Sequence, residues 1–67
     1  MMTVYELEKQ KIENGMNRKD RKRIKMISKL FKIPVNHILD NITYDVEMGF
    51  TISESIGILE RILKVGR

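Results

Sequence analysis

The sequence predicts an all-α fold, a single small helical domain of four helices with short connections spanning residues 1–67. Three observations predict it. Four stretches carry aliphatic residues at helical spacing. Thr3, Asn17 and Thr51 have the side chains that open helices. Punctuation is sparse, at Gly15, Pro34, Gly49 and Gly66.

The first helix is expected over about residues 4–14. Thr3-Val4-Tyr5-Glu6 reads as a capping box, in which the Thr oxygen takes an orphan backbone N–H and the Glu reaches back. Its apolar stripe of Val4, Leu7 and Ile12 with Tyr5 is thin, and Gly15 is expected to stop it in a left-handed conformation. The second helix follows over about 18–32, with Asn17 as N-cap and Asp20 complementing the helix dipole. Ile24, Ile27, Leu30 and Phe31 form its core face. Pro34 suits the first turn of a third helix, about 35–48, whose stripe is Val35, Ile38, Leu39, Ile42 and Val46.

Thr51-Ile52-Ser53-Glu54 is a second capping box and opens a helix over about 52–65. This helix carries two aliphatic lines. Ile52, Ile56, Leu59 and Leu63 form one, and Ile58, Ile62 and Val65 the other. Together they cover about half the circumference, more than a small bundle needs for its core. The second line is therefore expected to meet another surface, a second copy or a protein partner. Gly57 falls on the polar side.

Composition narrows the function. There is no Cys and one His, which excludes disulfides, thiolate metal sites and a His-rich metal site. A chain this short is marginal alone, so a helical core, a partner, or both must hold it. Hydrophobic residues make up 42%, with ten Ile and no Ala or Trp, which fits a folded core rather than a disordered tail. No apolar run approaches the roughly 18 residues of a membrane span. The start, MMTVYELEK, has no apolar region of a signal peptide, so a cytoplasmic protein is expected.

The charge is uneven. Residues 1–32 hold ten Lys or Arg against four Asp or Glu, and residues 33–67 hold three against five. On a wheel of about 100° per residue, Arg18, Arg21, Lys22, Lys25, Lys29 and Lys32 share an arc of about 100°. Arg23 and Lys19 lie at the other edge, near Met26. The six form a stripe about 21 Å long at about 1.5 Å per residue. Charged stripes are ordinarily solvated faces, but a nearly single-sign face repels itself by a few tenths of a kcal/mol per i,i+4 pair. That cost favours a polyanion, in the first place duplex DNA, over an acidic protein partner or simple solvation. Membrane binding is disfavoured because the apolar arc has no Trp and is needed for the core. None of Arg21, Lys25 and Lys29 lies on the apolar arc, so changing all three to Gln is expected to spare folding.

Specific reading of bases finds no motif. A helix-turn-helix pattern wants a small residue four places before the turn Gly and an aliphatic six places after. Around Gly49 those places hold Asp45 and Ser55, and around Gly15 they hold Lys11 and Arg21.

The stretch KMISKLFKIPVNHILDN, residues 25–41, nevertheless resembles the last two helices of lambda-repressor-like (Cro type) helix-turn-helix domains, with Leu30, Ile33, Pro34, Val35, Ile38 and Leu39 in the matching places. TVYELEKQK, residues 3–11, is similar to that family's recognition helix with its trailing Glu, here Glu8. The family has Gly two residues after that Glu, where this chain has Gln10. The spacing between the two matches is longer than the family's, and the helices that precede the recognition helix are absent. The resemblance implies a repressor-derived protein that keeps packing surfaces without the complete reading head.

Nothing suggests an enzyme or a cofactor. His37 with Asp40 or Asn41 offers two ligands on one face, too few for a metal. Asp45 and Glu47 point in different directions, so they form no acid–base pair. Tyr5, Tyr44 and Phe50 are isolated rather than a stacking platform. Two functions are expected: a small DNA-binding regulator of phage or plasmid kind, joined as a homodimer through the fourth helix, or a modulator that binds a repressor or host enzyme through that helix.

Overall fold

The computed structural model describes residues 2–65. Gly66, read above as punctuation, lies outside the described residues. Among them the chain forms four α-helices and no strand: α1 (Val4–Gly15), α2 (Arg18–Phe31), α3 (Val35–Glu47) and α4 (Ile52–Val65).

The helices begin where local chemistry places them. The Thr3 hydroxyl accepts from the Glu6 N–H at 3.1 Å and donates to the Glu6 carboxylate at 3.2 Å, so the Glu side chain meets the hydroxyl rather than the Thr3 N–H. Asn17 Oδ1 accepts from the Asp20 N–H at 2.8 Å. The Thr51 box closes both ways, with the Glu54 N–H donating to Thr51 Oγ1 at 3.1 Å and the Thr51 N–H to Glu54 Oε1 at 2.9 Å. Pro34 stands one place earlier than expected, as the N-cap of α3, and its carbonyl accepts from the His37 and Ile38 N–H groups.

The helix ends are less local. α3 closes in a Schellman motif. Gly49 sits at φ +106°, its N–H donates to the Val46 carbonyl, and the Phe50 N–H donates to the Asp45 carbonyl. Gly15 does not behave as expected. It is the last residue of α1 and has no positive φ. The cap, Met16, is extended, its N–H donates to the Glu13 carbonyl at 3.4 Å, and the Arg21 guanidinium of α2 adds to this end from outside. Arg21 Nη2 donates to the Glu13 carbonyl at 2.8 Å, and Nε to the Met16 carbonyl at 3.1 Å. The left-handed turn falls instead on Lys32, at φ 55° and ψ 40°, which ends α2 one residue early.

The core joins all four helices. Ile12, Met16, Ile24, Ile27, Ile38, Leu39, Ile42 and Ile56 are buried, and Phe31, Ile33, Val46, Ile52, Leu59 and Leu63 pack around them. Eight aliphatic or Met side chains withdrawn from water, at roughly 1.5–3 kcal/mol each, are the main favourable contribution to folding. Besides Val4, Tyr5 and Leu7 of the thin α1 stripe, two expected core residues are outside. Leu30 is 62% exposed, because it lies at the border of the apolar arc, about 60° from Ile27 toward Met26. Val35, at the first turn of α3, is also exposed.

Buried polar groups are satisfied. Thr43 Oγ1 donates to the Leu39 carbonyl at 2.8 Å, and Ser55 Oγ donates to Asp45 Oδ2 at 2.7 Å, tying α3 to α4. Asp20, in the first turn of α2 as expected, is buried and meets Arg23 Nη1 at 3.4 Å. Arg23 reaches from there across to α4, to Ser53 Oγ at 3.2 Å and Glu60 Oε1 at 2.6 Å. It passes over Gly57, whose missing Cβ would stand 3.5 Å from Arg23 Nη2. The Glu60 carboxylate, before all else, holds the Arg23 guanidinium further above its ordinary range. So Arg23 is a tie between two helices.

Candidate nucleic-acid interface

The cationic stripe stands on the outer face of α2, because Ile24 and Ile27 turn the opposite face into the core. Arg18, Arg21, Lys22, Lys25 and Lys29 are all exposed on the helix. Lys32 is exposed too, but its left-handed backbone places it just past the helix end rather than on the wheel.

The six are not equivalent. Arg21 spends two of its donors on the end of α1. Among the described residues, Arg18, Lys22, Lys25, Lys29 and Lys32 form no ion pair; the cations that do are Lys9, Lys11 and Arg23. Lys29, in the last turn, is favoured by the helix dipole, whereas Arg18, in the first, is opposed by it. The expectation that Arg21 can be changed freely rested on its place off the apolar arc and did not include these two bonds. The wheel shows which face a side chain occupies but not that a neighbouring helix ends beneath it.

Beside the stripe is an open concavity of about 170 Å³, lined by Met16, Ile24, Val35 and Leu39 with Glu13, Arg21 and Lys25. Met16, Ile24 and Leu39 belong to the core, Val35 is exposed beside them, and the two cations bring the stripe to it.

The contact between α1 and α3 differs. Asp40 on α3 accepts from the Tyr5 hydroxyl at 3.0 Å and pairs with Lys9 at 2.8 Å. The hydrogen bond from Lys9, then that from Tyr5, holds its carboxyl below the ordinary range. Tyr5 is pushed up, by desolvation first and by Asp40 next. Asp40 is thus committed to α1 rather than to His37. Among the described residues no three His, Cys, Asp or Glu gather as a metal site.

Ile58, Ile62 and Val65, the candidate contact line of α4, are exposed at 37%, 60% and 80%. Met26, outside the expected core face, and Leu30, expected on it, are exposed as well. No helix among the described residues is long and apolar enough to cross a membrane. The chain matches no protein-family model, no curated protein and no solved structure.

Proposed function

We propose that this protein is a small DNA-binding regulator that holds duplex DNA by its phosphates, with Arg18, Lys22, Lys25, Lys29 and Lys32 as the contacting cations and Arg21 at the margin. One observation carries the reading: five exposed cations along one face of one helix and its end, none neutralised by a neighbouring carboxylate among the described residues. Each such cation displaces condensed counterions from a duplex. On this reading the chain is a binding protein rather than an enzyme, and its affinity is electrostatic and strongly dependent on salt.

The test is a titration of duplex DNA at two salt concentrations, with the parent and a variant carrying Lys22→Gln, Lys25→Gln and Lys29→Gln. Arg21 is left in place so that its bonds to the end of α1 remain. The variant should bind far more weakly, and the slope of log affinity against log salt should flatten by about 0.9 for each phosphate no longer neutralised. Equal affinity at equal salt would show the stripe to be a solvated face.

A second reading rests on Ile58, Ile62 and Val65: a modulator that docks this face on another protein. It is favoured if the parent shows no salt-dependent affinity for DNA.

A further inference from the structure

The outer face of α4 is complementary to itself. Ile52, Ile56, Leu59 and Leu63 of α4 pack into or against the core. The surface turned away from them carries Glu54, Ile58, Arg61, Ile62 and Val65, all exposed or nearly so. At about 100° per residue, Glu54 and Arg61 lie within about 20° of one another, two turns and about 10.5 Å apart. Ile58 lies between them. Glu54 Oε1 is taken by the Thr51 N–H, which leaves its second oxygen for another donor. Among the described residues Arg61 pairs with no carboxylate.

We propose that this face docks on a second copy of the chain, with the two α4 helices antiparallel about a two-fold axis beside Ile58. In that register each Glu54 meets Arg61 of the other copy, and the two Ile58 side chains meet at the axis. Ile62 and Val65 run past the N-terminal end of the opposite α4, toward its exposed Phe50. A two-fold contact requires one patch to be its own partner, and an acid and a base two turns apart on one helix meet that requirement only when the copies run oppositely. A parallel pair would set Glu54 against Glu54 and Arg61 against Arg61. The patch therefore specifies orientation as well as occupant. A single helix face is a small interface, so the association is expected to be weak. The contact uses no residue of the α2 stripe, and the proposal stands independently of DNA binding.

Sedimentation equilibrium without DNA tests it, on the parent, on Arg61→Glu, on Glu54→Arg and on an equimolar mixture of the two variants. The parent should dimerise. Each variant alone faces two like-charge pairs and should associate at least about tenfold more weakly. The mixture restores both opposite-charge pairs. In one, the unchanged Glu54 of the first variant faces the unchanged Arg61 of the second. In the other, the two substituted side chains face each other with their signs exchanged. The mixture should therefore dimerise nearly as the parent does. A parent that stays monomeric at high micromolar concentration overturns the proposal and assigns the face to a different protein. A parent that dimerises beside a mixture that does not overturns the antiparallel register. Glu54 also caps α4, so circular dichroism must show Glu54→Arg to be folded. If it is not, Ile62→Glu, at a position already exposed, carries the test. Its association must fall with helicity intact, and unchanged dimerisation overturns the proposal.

Discussion

The seam between α2 and α4 and the seam between α1 and α3 are both bridged by a short ion pair, but they are built differently. At the first, Arg23 meets Glu60 at 2.6 Å and also reaches Ser53 and the buried Asp20. Beneath it lie Ile24, Ile27 and Ile56, all buried. At the second, Lys9 meets Asp40 at 2.8 Å and the Tyr5 hydroxyl adds a hydrogen bond. Yet α1 buries only Ile12 within its own length, and Val4 and Leu7 stand in water. An exposed pair contributes about 0–1 kcal/mol, and a buried aliphatic side chain about 1.5–3. The comparison separates what places a helix from what stabilises it. Aliphatic side chains of both α2 and α4 pack into or against the core at the first seam, whereas α1 brings only Ile12 to the second. α1 is therefore expected to loosen first.

The hardest way to break that arrangement is in the shared core. Ile56→Ala should cost about 2–5 kcal/mol, since the side chain is fully buried in the cluster that joins the helices. In a domain of this size that is a large part of the total, and chemical denaturation should show the loss directly. A change below about 1 kcal/mol would mean that the core collapses around the gap.

Next in size is Arg23→Ala. It removes the tie to Glu60 and Ser53 and leaves the Asp20 carboxylate buried without its guanidinium, at a cost of about 1–3 kcal/mol. Arg23→Lys should recover only part of this, because one ammonium cannot span Asp20, Ser53 and Glu60 as a planar fork does. Thermal melts of the two variants check the order. Equal stability of Arg23→Ala and the parent would reduce the tie to a surface pair.

The smallest effect belongs to Asp40. Its carboxyl is depressed in the folded state, so an unfolded or undocked chain takes up the proton more readily. The contribution is therefore complete above the ordinary carboxylate pKa of about 4 and disappears as the pH falls through the lower folded value. Acidification should loosen α1 before it disturbs α2 and α4, as amide exchange of α1 residues would report. Asp40→Asn should remove that pH dependence while barely moving the global melting midpoint.

What was legible in the sequence divides along the same line, between local and long-range causes. Thr3, Asn17 and Thr51 act on backbone groups three residues away, and all three helix starts were readable. Ile38, Leu39 and Ile42 on α3, and Ile56 on α4, follow from period alone. The end of α1 was not readable, because the left-handed stop at Gly15 does not form and two of the bonds there come from Arg21 on the next helix. Arg23 carries no mark distinguishing it from its basic neighbours; its partner Glu60 lies 37 residues on. Leu30 has core spacing but sits at the border of the apolar arc, and its exposure was not read from that spacing. The stripe was legible as an exposed face, but the demand α1 places on Arg21 was not. The aliphatic surplus on α4 was legible too, whereas the self-complementarity of its charges becomes visible only once the core face has been fixed.

The bond between Tyr5 and Asp40 also gives the protein an internal optical reporter. The chain has no Trp and two tyrosines. Tyr44 stands exposed, so its emission is that of a solvated phenol. The Tyr5 hydroxyl is 3.0 Å from a carboxylate, an acceptor that quenches phenol emission while α1 is docked. Release of α1 should therefore brighten the fluorescence, with Tyr44 as a steady background, and the motion of the least anchored helix can be followed without any label.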